Sequence, residues 1–108
     1  MNEIIATSRP IIAQICKVHG VRKLELFGSG VGDLFDQETS DFDFVVDFAD
    51  RSPGYARRFL SLAESLESLL GRKVDLITER SIRNPYLRSS IDATKETIYE
   101  SSDGQAAA

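Results

Sequence analysis

Residues 24–48 read LELFGSGVGDLFDQETSDFDFVVDF, and this stretch decides the fold. An apolar strand carrying Leu24, Leu26 and Phe27 runs into Gly28-Ser29. An irregular segment follows, and Ser40-Asp41-Phe42-Asp43 then opens a second apolar strand, Phe44 to Phe48. Side chains two apart on a strand project to the same side, so Asp41 and Asp43 present their carboxylates together. Glycine at 28 lets a phosphate approach the backbone with no Cβ in the way. The Ser29 hydroxyl and neighbouring N–H groups are suitable donors to its oxygens. No Gly-Lys-Ser/Thr follows, so this is not a P-loop.

Working outward, Lys73 to Thr78 (KVDLIT) predicts a third strand with Asp75 in its middle. If that strand pairs beside the second, Asp75 joins Asp41 and Asp43. Three clustered carboxylates repel one another, and a divalent cation is their natural neutraliser. An all-oxygen ligand set favours Mg²⁺ or Mn²⁺. Two such ions can bridge a triphosphate and stabilise a leaving oxygen.

Each piece also has a plainer reading. Gly-Ser is a common turn. Asp41-Phe42-Asp43 also suits a solvated strand entry or a cap, and Asp75 also suits an ion pair with Arg72 or Lys73. A calcium loop does not fit, because Phe44 and Val45 stand where oxygen ligands and a glycine are needed. A phosphatase or glycosyltransferase DxD fits poorly, since those carboxylates end an apolar strand and these begin one. Asp47 reads as a strand-end charge.

The flanks complete an α/β pattern. Arg9-Pro10 suggests a helix start, with Met1 to Ser8 a frayed entry or first turn. Ile11, Ile12, Ile15 and Val18 fall at helical spacing, and Gly20 stops the helix. His19, in the last turn, reads as a cap at the negative helix end rather than a base. Val21 to Phe27 alternates as a strand. Asp50 to Gly54 is a turn cluster. Tyr55 to Leu70 carries Phe59, Leu62, Ala63, Leu66, Leu69 and Leu70 on one face. Asn84-Pro85 starts a last helix to about Thr94, with Tyr86, Leu87 and Ile91 as its buried face. Thr97 to Tyr99 suits an edge strand. The expected fold is a small α/β (α+β) sandwich, a mixed sheet flanked by helices. One domain spans 1–100, and 101–108 forms a disordered tail.

Composition narrows the functions. The chain has 108 residues, 42% hydrophobic, with a formal net charge of −4. An acidic chain is a poor match for nucleic acid as main ligand, though a nucleotide whose charge is met by metal ions remains open. Cys16 is the only cysteine, and its apolar neighbours Ile12, Ile15 and Val18 mark it as core rather than reactive. Neither a secretory signal nor a membrane span is read from the sequence, so the expected location is the cytoplasm.

Taken together, Leu26-Phe27-Gly28-Ser29, Ser40-Asp41-Phe42-Asp43 and Val74-Asp75-Leu76-Ile77 resemble the minimal nucleotidyltransferases of the DNA polymerase β superfamily. Arg83-Asn84-Pro85-Tyr86-Leu87-Arg88, followed by Ile91 and Tyr99, is similar to the tail of these small proteins. The resemblance covers about Gly20 to Tyr99 and implies a polymerase-β-like nucleotidyltransferase fold. It implies that Gly28 and Ser29 hold the triphosphate of ATP or another NTP, and that Asp41 and Asp43 bind the metal ions. Asp75 would bind the catalytic metal and help deprotonate the attacking hydroxyl. Members are commonly encoded with a HEPN-domain toxin and act as antitoxins that transfer a nucleotide, usually AMP, onto it; some bind without evident catalysis. Homo- and hetero-oligomers are both open. Two departures stand out: the segment between Ser29 and Asp41 is one residue longer than usual, and Gly30-Val31-Gly32 replaces the usual arginine-bearing run. Two functions follow: a Mg²⁺-dependent nucleotidyltransferase acting on a protein hydroxyl, or an antitoxin that neutralises its partner by contact. For contact, Arg83, Arg88, Lys95 and the Tyr55–Leu70 helix are candidate surfaces.

Overall fold

In the computed structural model, residues 3–28, 42–49 and 54–101 are described. The element order is α1 (Glu3–Val18), β1 (Val21–Phe27), β2 (Phe42–Phe48), α2 (Tyr55–Leu70), β3 (Val74–Thr78), a 3-10 turn (Glu79–Ser81), α3 (Pro85–Thr94) and β4 (Glu96–Glu100). The sheet order is β3-β2-β1-β4. β1 runs antiparallel to both β2 and β4, while β2 and β3 are parallel. This is the mixed sheet with flanking helices expected from the sequence. Parallel neighbours need a crossover, and α2 supplies it.

The alternation of β2 builds the core. Phe42, Phe44, Val46 and Phe48 are buried in one cluster with Leu24 and Leu26 of β1, Ile5, Ile12 and Cys16 of α1, and Leu62, Leu66 and Leu70 of α2. The two long helices therefore cover one face of the sheet. Asp43, Val45 and Asp47 fall on the opposite face, where α3 lies. α2 ends as expected: Gly71 adopts φ 67 and donates its N–H to the Glu67 carbonyl.

Two local readings are corrected. α1 begins at Glu3, with Pro10 inside the helix rather than at its start. Proline removes one i→i−4 hydrogen bond there, but Ile5, fully buried alongside Ile12 and Cys16, anchors the turns that precede it. Arg9, one residue before, reaches across to β4 and donates to the carbonyls of Thr97 (3.1 Å) and Ile98 (3.2 Å). α3 starts as expected, with the Asn84 side chain accepting from the Tyr86 and Leu87 N–H groups. Its predicted buried face shrinks to Ile91, because Tyr86 is 85% exposed and Leu87 40%. Ser101, the first residue of the predicted tail, donates its N–H to the Arg22 carbonyl at 2.8 Å and extends the ladder. The remainder of the predicted tail, the Gly30–Glu38 stretch and most of the 50–54 turn lie outside the described residues.

His19 acts as a cap. Its Nδ1–H donates to the Ile15 carbonyl (2.8 Å), and Nε2 accepts from the Ser61 hydroxyl (3.0 Å), joining the end of α1 to α2. Cys16 has no exposed surface, and burial pushes its thiol up to about 12. No helix among the described residues is long and apolar enough to cross a membrane.

Cys16 is expected to resist a water-soluble disulfide reagent at pH 8 in the folded chain and to react fully in denaturant. Since its folded pKa lies above its unfolded value of 9.0, its contribution to stability is intact below pH 9 and declines as the pH climbs from there toward 12. Urea unfolding of wild type and Cys16→Ala across this range checks the sign: the wild type loses stability more steeply.

Candidate active site

The site is a row of residues across three strands. In the β1–β2 register Phe27 faces Asp43, and in the β2–β3 register Asp43 faces Asp75. Phe42 and Phe44 are fully buried on the helix-covered side, and Val74 and Leu76 join the same core. Strand alternation therefore places Asp43 and Asp75 on the opposite face as lateral neighbours, about 5 Å apart at the backbone. Asp43 is half-buried and Asp75 exposed.

Gly28 follows β1 directly and adopts φ +75. A Cβ at this position would lie 2.9 Å from Oδ2 of Asp43. Glycine is thus required twice here, for the left-handed backbone and for the space beside the carboxylate. Its N–H donates to Oγ1 of Thr94, at the end of α3, at 3.2 Å.

The structure therefore brings together Gly28, Asp43 and Asp75 from the set expected from sequence. Ser29 and Asp41 lie outside the described residues. Among the described residues no group of three or more His, Cys, Asp or Glu is placed to hold a metal; the two described carboxylates form a pair. Two hard oxygen donors side by side, with backbone against one of them and no Cβ between, fit a divalent cation and a phosphate.

Behind the row lies a chain of ion pairs that the sequence did not reveal. Glu25, two residues before Phe27, is only 4% exposed. It sits 3.9 Å from Nζ of Lys23 and 3.8 Å from Nζ of Lys95. Lys95 also meets Asp92 (3.4 Å), which lies 3.8 Å from Arg88, and Arg88 pairs with Glu79 at 3.1 Å. Two of the three cations offered as a contact surface, Arg88 and Lys95, are thus engaged within the chain. The Arg88–Asp92 and Asp92–Lys95 pairs follow helical spacing, but no local pattern joins them to Glu25 on β1 or to Glu79 in the 3-10 turn. Thr94 was missed for the same reason: a hydroxyl at a helix end carries no motif.

With the fold and this row in view, the chain belongs to the nucleotidyltransferase domain family, whose model matches residues 9–99. Among its relatives is a Methanocaldococcus jannaschii chain assigned, provisionally, as protein adenylyltransferase MJ1379. It is 39% identical over 99 residues, covering 92% of this chain and 93% of the relative. Protein adenylyltransferase MntA of Thermococcus cleftensis is 37% identical, covering 74% of this chain and 75% of its own. Among solved structures, one described as a candidate minimal nucleotidyltransferase superposes with TM-score 0.70 at 29% identity, covering 89% of this chain and 95% of that one. A second, a tri-AMPylated Shewanella oneidensis HEPN toxin in complex with its MNT antitoxin, gives TM-score 0.62 at 21% identity over 95% of this chain and 78% of that one, a likeness of fold.

Gly28→Ala is expected to disable nucleotide binding with little loss of fold. The added methyl group must displace the Asp43 carboxylate, and the left-handed backbone costs an L-residue roughly 1 kcal/mol. Equilibrium binding of ATP with Mg²⁺ should weaken at least on the order of tenfold, while far-UV circular dichroism stays at the wild-type spectrum.

Proposed function

We propose that this nucleotidyltransferase moves AMP from ATP onto a hydroxyl of a HEPN-type toxin and so serves as its antitoxin. The observation that carries the reading is the Gly28–Asp43–Asp75 row. It offers a backbone cradle beside two carboxylates on a part of the sheet face that no described element covers. The relatives named as protein adenylyltransferases support the class of acceptor, and the HEPN–MNT complex among the structural neighbours supports the partner.

In this reading residues 1–100 form the catalytic unit. Gly28 and Ser29 receive the β- and γ-phosphates against backbone. Asp41, Asp43 and Asp75 would hold divalent metal, Mg²⁺ or Mn²⁺, which would offset phosphate charge and make the attacking hydroxyl more acidic. Asp75, the most exposed of the described site residues, accepts the acceptor's proton. The acceptor oxygen bonds to the α-phosphorus, the bond from that phosphorus to the bridging oxygen breaks, and pyrophosphate leaves. Among the described residues no second lobe covers the row, and in this reading a macromolecular acceptor closes the site and excludes water from it. ATP supply places the reaction in the cytoplasm.

Contact without transfer is the second reading, motivated by the neutral Gly30-Val31-Gly32 run, which offers the phosphates no cation. One experiment separates the two. The chain is co-expressed with its native partner, and the partner's intact mass is read after incubation with ATP and Mg²⁺. The expected gain is one or more AMP units, and Asp43→Asn and Asp75→Asn each reduce transfer at least about a thousandfold. A partner of unchanged mass that is nonetheless neutralised establishes the binding reading instead.

A further inference from the structure

Thr94 touches the nucleotide turn from outside the motif. Its Oγ1 accepts the Gly28 N–H at 3.2 Å, while its own hydroxyl proton goes to the Ser90 carbonyl at 3.1 Å. The second bond fixes the direction of the first, because a hydroxyl that donates to one partner turns its lone pairs toward the other. The helix end itself is held in place. The Lys95 N–H donates to the Ile91 carbonyl at 2.7 Å, and Lys95 Nζ reaches Glu25 of β1. Gly28 needs such an anchor. Glycine samples left- and right-handed backbone about equally, so nothing intrinsic keeps φ at +75.

We propose that Thr94 is a positioning residue for nucleotide binding: its hydroxyl holds the Gly28 turn in the left-handed conformation that leaves room beside the Asp43 carboxylate. Phosphate then meets a turn already in place, and less ordering entropy is lost on binding. The proposal rests on the nucleotidyltransferase reading of that turn. It assigns Thr94 no contact with the reacting atoms.

Thr94→Val removes the hydroxyl at nearly constant volume, and Thr94→Ser retains it; Thr94→Ala replaces the valine variant if that one folds poorly. The assay is transfer of labelled AMP to the co-purified partner over a range of ATP with Mg²⁺. Loss of one hydrogen bond is expected to raise KM for ATP on the order of fivefold in Thr94→Val. kcat should remain within about twofold, as for a group that acts on binding alone. Thr94→Ser should restore KM, and amide exchange at Gly28 should quicken in Thr94→Val alone. An unchanged KM in Thr94→Val, or an equal rise in Thr94→Ser, overturns the proposal while wild-type transfer stands. A wild-type chain that transfers no nucleotide overturns the functional reading, and the nucleotide role of Thr94 with it.

Discussion

The parallel pairing of β2 with β3 is the constraint on which the site depends. It sets Asp43 directly beside Asp75, an arrangement that like charges oppose. The opposition is small: two unit charges about 5 Å apart in water-like surroundings repel by roughly 1 kcal/mol. The same strands bury Phe42, Phe44, Val46 and Val74 against α1 and α2, and full burial of each such side chain contributes about 1.5–3 kcal/mol. Hydrophobic burial on one face of the sheet therefore holds an unfavourable charge pair on the other. Strand alternation makes the two inseparable, since a slip of one residue would turn the phenylalanines out and the aspartates in.

The third helix is secured differently. Its buried apolar contribution is Ile91, while ion pairs tie it to β1 and the 3-10 turn, and one hydroxyl ties it to Gly28. Partly exposed ion pairs are individually weak. The element beside the candidate phosphate cradle is thus held by polar contacts on a rigid, apolar two-helix base.

Much of the architecture was legible because burial writes a period into the chain. FDFVVDF alternates as a strand with one face in the core, and Leu62, Leu66 and Leu70 recur as a helix face. Gly28 and the two described aspartates could be picked out because each has a local reason, a turn or a strand entry next to an apolar run. Pro10 misled, because a proline near an apparent helix start has the same local signature as one inside a longer helix whose first turns are held by Ile5. Tyr86 and Leu87 misled similarly: helical spacing marks a common face but not whether anything lies against it.

The order of amino acids by itself determined the strands, the long helices, the family and the residue types at the site, since periodicity, caps and glycine turns are local and repeat along the chain. Only the tertiary structure decided that Asp43 stands beside Asp75, that the Gly28 backbone abuts the Asp43 carboxylate, and that Thr94 and Lys95 reach back to β1. Those contacts join residues from 15 to 70 positions apart, the extremes being Gly28 with Asp43 and Glu25 with Lys95. No local pattern encodes such distances. They are set by which strand edges meet once the phenylalanines of β2 have been removed from water.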